Sequence, residues 1–168
     1  MLIKETETYL NNFAKYVIQQ SRSNLTKGNK NVDKKLYNSL DKEVEVGANS
    51  FRLAFEMEDY GQFQDKGVSG TERKYDTPFK YTNKKPPFKP IRDWVGKRRF
   101  QFKDKKSGKF MSYNTTAFLI QGSIFKKGIK PSLFFTKPFN KAFERLPDEL
   151  VEAYGLDVEN FIEFTLNK

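Results

Sequence analysis

The stretch Glu43-Val44-Glu45-Val46-Gly47-Ala48-Asn49-Ser50-Phe51-Arg52-Leu53-Ala54-Phe55-Glu56-Met57 carries the clearest pattern in the chain. Val44 and Val46 alternate with Glu43 and Glu45. Phe51, Leu53, Phe55 and Met57 then alternate with Arg52, Ala54 and Glu56. Successive side chains of a strand point to opposite faces, so a period of two puts one set on a core and the other toward water or a partner. Between the runs, Gly47-Ala48-Asn49-Ser50 has the length and chemistry of a hairpin turn.

Toward the N-terminus, Leu10, Phe13, Ala14, Val17, Ile18 and Leu25 recur at spacings of three and four. That predicts a helix over about residues 3–26, stopped by Lys27-Gly28-Asn29-Lys30-Asn31. Toward the C-terminus the pattern breaks down from Asp59 to about Pro90, where Gly61, Gly67, Gly70, Pro78, Pro86, Pro87 and Pro90 punctuate a Lys- and Tyr-rich stretch. So long a loop in a compact domain is functional or mobile. Ile91 to Val95 reads as a short helix with Ile91, Trp94 and Val95 on one face and Trp94 as its core anchor, with an interface role as the alternative. Phe100 to Tyr113 is expected as a basic β-hairpin turning at Lys106-Ser107-Gly108, its tip exposed.

Asn114, Thr115 and Thr116 are N-cap candidates for a helix bearing Ala117, Phe118, Ile120 and Ile124, with Gly128 as its C-terminal cap. Leu133-Phe134-Phe135 is expected to pair as a strand. A helical segment over 138–168 begins near Pro138, with Phe139, Ala142, Phe143 and Leu146 periodic. It kinks or restarts at Pro147, and Val151, Tyr154, Val158, Phe161, Ile162 and Leu166 continue its amphipathic pattern. No internal repeat is visible. These pieces predict one α+β domain over residues 1–168. A long N-terminal helix packs on a small antiparallel sheet, with further C-terminal helices and long basic loops over 61–113.

Composition narrows the function. Hydrophobic residues make up 37% of 168 and charged residues 31%, yet aromatics reach 15%, with 17 Phe. A polar chain with so many large aromatics suggests apolar patches meant for other chains. With no cysteine, neither a disulfide nor a thiolate metal site can form. With no histidine, the commonest general base and metal ligand is missing. No bound cofactor or metal is therefore expected. No apolar run approaches a membrane span and the first residues lack a signal-like segment, so a soluble product without a membrane partner is expected. The net charge of +10 is uneven. Lys66 to Lys109 holds 15 Lys/Arg against four acids, whereas Glu144 to Lys168 holds seven acids against two bases. Opposite-signed regions suit head-to-tail packing between copies; a basic solvated loop beside an acidic helix accounts for the same split.

The order of short motifs resembles the head–tail connector and tail-completion proteins of the tailed-bacteriophage neck. Leu36-Tyr37-Asn38-Ser39-Leu40 stands before the hairpin, Tyr60-Gly61-Gln62-Phe63-Gln64-Asp65-Lys66-Gly67-Val68-Ser69-Gly70-Thr71 follows it, and Gly128-Ile129-Lys130-Pro131-Ser132-Leu133-Phe134-Phe135 leads into the last helices. The likeness runs through about residues 3–146. It departs at Asp65, where the family has glutamate, at the longer Val68-Ser69-Gly70 loop, and at the large Lys-rich segment 73–109. The resemblance implies a non-enzymatic virion protein, made in the bacterial cytoplasm. It implies a homo-oligomeric ring, sixfold or twelvefold, between portal or adaptor and tail tube, with genomic DNA passing through the channel. Tyr60, Phe63, Asp65, Gly67, Gly70, Arg98, Arg99, Phe134 and Phe135 are expected at subunit interfaces. For the glycines, a simple need for positive backbone dihedrals is the alternative.

Two other chemistries are written in the same residues. Lys97-Arg98-Arg99, Phe100, Phe102, Lys103, Lys105, Lys106 and Lys109 combine cations for phosphates with aromatics for stacking, as a small nucleic-acid-binding protein would. Glu56, Glu58, Asp59, Asp65 and Lys66 resemble the carboxylates and lysine of a metal-dependent nuclease, a special case of that reading. Solvated charges at a strand end give the same pattern.

Overall fold

The computed structural model describes residues 4–47 and 50–166, excepting the side chains of Phe164 and Leu166. Its elements are α1 (Lys4–Lys27), α2 (Lys35–Ser39), β1 (Asp41–Gly47), β2 (Ser50–Glu56), α3 (Gly61–Lys66), α4 (Phe88–Arg98), α5 (Tyr113–Lys127), α6 (Thr136–Phe143) and α7 (Leu146–Leu166). The chain is α+β, with its long N-terminal helix packed on a two-stranded antiparallel sheet and helices at its C-terminal end. It divides into two compact units, Met1–Asp59 with Phe134–Lys168, and Tyr60–Leu133.

In the first unit the hairpin forms as expected. Burial follows the alternation on β1 but not on β2, where Phe51 is 41% exposed and Ala54 is half-buried like Leu53 and Phe55. Val44 pairs with Leu53, Val46 with Phe51 and Lys42 with Phe55, while Glu45 faces Arg52 across the outer side. Gly47 pairs with Ser50; Ala48 and Asn49, the centre of the expected turn, lie outside the described residues, as does Ile3 at the expected start of the first helix. α1 buries the stripe read from the sequence, with Ala14, Val17 and Leu25 at 0% exposure. Its lower half meets α2 and the residues after the second unit in a core of Ile18, Leu25, Leu36, Leu40 and Phe134. Arg22 staples this corner: Nε donates to the Tyr37 carbonyl and Nη2 to the Leu40 carbonyl, both at 3.0 Å. The rings of Phe55, Phe135, Phe139 and Phe13 pack at centroid distances of 5.2–6.5 Å, mostly edge to face.

Several expectations are corrected. Leu133-Phe134-Phe135 is not a strand. Leu133 sits at φ +52° and Phe134 turns into the core, with α6 starting at Thr136. As expected, Pro147 restarts the helix, because its missing N–H falls in a first turn, where an amide has no intrahelical acceptor. In α7 the inward arc is Ala153 and Asp157, at 8% and 2% exposure, whereas Val151 is 73% exposed and Ile162 50%. The Leu166 side chain of that expected stripe lies outside the described residues.

Candidate functional surface

The second unit is built around a backbone interlock, where the sequence suggested a loose loop. α3 forms over Gly61–Lys66, and Gly67 follows it at φ +75°. Val68 and Ile129 exchange both backbone hydrogen bonds, at 2.9 and 2.8 Å. The amides of Thr71, Glu72 and Arg73 donate to the Phe125 and Lys126 carbonyls, which a helix C-terminus leaves without intrahelical partners. This approach demands glycine. A Cβ on Gly70 would lie 2.0 Å from the Lys126 carbonyl oxygen, and one on Gly128 would lie 2.1 Å from that of Val68.

Downstream, the Ser69 amide donates to the Phe79 carbonyl and the Tyr81 amide to that of Ser69, both at 2.8 Å. The Ser69 hydroxyl accepts from the Tyr75 amide and donates to its carbonyl. Residues 67–81, within the stretch expected as a long functional or mobile loop, are thus tied to the end of α5.

α4 is longer than expected and starts at Phe88. Val95 is its anchor at 0% exposure, while Trp94 is 41% exposed, which corrects the anchor role read for Trp94. The 100–113 hairpin holds one bridge, Lys103 with Phe110, and no ladder. Its turn is set by Asp104, whose Oδ1 accepts from the amides of Lys106 and Ser107 and from the Ser107 hydroxyl. The Ser107 amide, then its hydroxyl, hold that carboxyl below its ordinary range. α5 is capped by Ser112, which accepts from the Thr115 amide at 3.0 Å, and not by the three residues expected. Gly128 closes it as expected, donating to the Ile124 carbonyl at 2.7 Å.

This unit carries 18 Lys/Arg against five acids, a net +13, and the other 13 against 16, a net −3. Large apolar groups stand among the cations. Phe100 and Phe102 are 5.1 Å apart and exposed, Lys103 lies over the Phe110 ring at 5.0 Å, and Lys85 over Phe118 at 5.3 Å.

The expected interface residues are scattered in kind. Tyr60 and Phe63 are exposed, Phe63 packing edge-on against Phe79 at 4.7 Å. Arg98 and Arg99 are exposed at the end of α4, Arg99 in the left-handed region at φ +51°. Gly67 and Gly70 serve the interlock; a Cβ on Gly67 would meet the Ile129 carbonyl oxygen at 2.6 Å. Asp65 and Phe134 are corrections. At 3% and 2% exposure their side chains are spent inside the chain, and the Asp65 carbonyl accepts from the Ser132 and Leu133 amides. Phe135 is half-buried in the ring cluster. Of the residues read as nuclease-like, Glu58 pairs with Lys35 at 2.9 Å. Among the described residues no group of three or more acidic side chains is placed to hold a metal ion, and no helix is long and apolar enough to cross a membrane.

Sequence reasoning missed Asp157. Its Oδ1 and Oδ2 accept from the Glu5 and Thr6 amides at 3.0 and 2.9 Å, closing the start of α1 from α7. Burial pushes this carboxyl up, but the amides of Thr6 and Glu5 outweigh it and hold it below the usual carboxylate range. Nearby, burial and then the 2.5 Å hydrogen bond to Glu149 raise the Tyr9 phenol. No family model matches the chain, and neither a curated protein nor a solved structure matches it.

Proposed function

We propose that the chain is a structural subunit of a ring in the neck of a tailed bacteriophage, joining portal or adaptor to tail by shape and charge. The observation that carries this reading is the partition of charge between two compact units, +13 and −3. A ring grows through a heterologous contact, in which one surface of each copy meets a different surface of the next. Opposite charges on the two surfaces steer that encounter and disfavour like-on-like pairing. Exposed Phe63, Phe100, Phe110 and Phe118 in one unit, and Phe143, Leu156 and Phe161 in the other, add the apolar area that such contacts bury. The motif order described above supports the same placement, and its partners would be further copies, portal or adaptor, and tail tube.

Cryo-electron microscopy of virions containing this chain tests the reading. The expected result is density for the chain as a closed ring between portal and tail. Intact virions without it there would overturn the proposal.

A second reading rests on Trp94, Phe100, Phe102 and Phe110, all exposed among Lys97, Arg98, Arg99, Lys103 and Lys109. Stacking rings beside phosphate-neutralising cations are what a nucleic-acid-binding surface requires. In a neck this surface would touch the passing DNA.

A further inference from the structure

Two helical stripes carry a central glycine for which the chain itself supplies no reason. On α7, Val151, Gly155, Val158 and Ile162 follow at spacings of four, three and four, so they share one face. Val151 is 73% and Ile162 50% exposed. On α5, Thr115, Leu119, Gly122 and Lys126 repeat that spacing with Phe118 beside them, Phe118 at 58% and Leu119 at 45% exposure. Among the described residues, nothing beyond the chain neighbours and the helix's own backbone lies within 4 Å of the place a Cβ would take at Gly155 or Gly122, and neither glycine has positive φ. Glycine inside a helix costs stability relative to alanine. With no turn, cap or internal crowding to justify it, the remaining use is close approach of a second backbone.

Charge names the partner. α7 carries Asp148, Glu149, Glu152, Asp157, Glu159 and Glu163 and no base, so two α7 helices repel. α5 carries no acid and two lysines, Lys126, which pairs with the exposed Glu72 at 3.0 Å, and Lys127, and Lys85 lies over its Phe118 ring. We infer that α7 of one copy docks on α5 of a second copy, the two glycines permitting close contact and the lysines facing the α7 carboxylates. The inference rests on the ring reading and names the two surfaces that join its subunits.

The chain has no cysteine, so single introduced thiols report cleanly. Val151→Cys and Phe118→Cys chains are mixed at high concentration and treated with a short bismaleimide. The expected product is a cross-linked dimer from the mixture, absent from either variant alone. Dimers from Val151→Cys alone, or no cross-link at all, would each overturn the docking. Gly155→Ala gives a readout that misfolding cannot imitate. It should raise the melting temperature while weakening association about tenfold, through a lost close approach. Unchanged association sinks the proposal. A virion ring built on other surfaces removes this docking and keeps the neck reading, whereas cross-links without a place in virions do the reverse.

Discussion

Asp157 ties the start of α1 to α7 through two backbone hydrogen bonds from a site 2% exposed. A negative group there also meets the positive end of the α1 dipole. Because its folded pKa is depressed, the carboxylate's contribution is complete above the unfolded value of about 4 and drains away as pH falls through the lower folded value. Asp157→Asn removes the charge and turns one acceptor into a donor facing an amide, at a cost of about 1–3 kcal/mol. Melting temperatures followed from neutral pH downward should show the variant well below wild type at first and the gap closing in acid. A gap that persists unchanged in strong acid would mean that the charge is not what matters. Nothing in local periodicity marks this residue, since an aspartate within an acidic helix reads as solvated until the opposing helix start is in place.

At the scale of elements, α4 shows how a short periodic segment can be recognised while its inward arc is misread. Ile91, Trp94 and Val95 share a face, and the larger ring suggested the anchor, yet Val95 is the one buried where α4 packs in its unit, and Trp94 is not. Val95→Ala should cost about 1–3 kcal/mol in urea unfolding, through lost burial and the cavity left behind. Trp94→Ala, from a site 41% exposed, should cost less than half as much. The reverse order would restore the ring as the anchor. The same ambiguity misled the reading of α7, where Val151 and Ile162 suggested the core and face outward.

For the whole molecule, the charge partition makes a statement about salt. Association between a +13 surface and a −3 partner is screened as ionic strength rises, with a Debye length of about 10 Å at 0.1 M. Sedimentation should therefore show self-association weakening from low to high salt, and an association that strengthens with salt would point to apolar contact alone. Trp94 is the single tryptophan and stands among the basic residues, so its emission reports on that surface. Quenching by DNA that is lost steeply with salt would favour the nucleic-acid reading, by release of counterions from the phosphates.

The amino-acid sequence alone determined the hairpin, the first helix and its buried stripe, the cap at Gly128 and the uneven charge, because each rests on neighbours a few residues apart. For the candidate site, exposure was legible only in part: Tyr60, Phe63, Arg98 and Arg99 are exposed, but the side chains of Asp65 and Phe134 are drawn inside. Tertiary structure alone decided the rest. Gly70 and Gly128 are required by each other's backbones, Leu133 leaves the strand region with its amide on the Asp65 carbonyl, and the core of the first unit takes in Phe134, far along the chain from Leu25 and Leu36. Such choices depend on segments far apart in the chain, where periodicity carries no information and packing and hydrogen-bond completion decide.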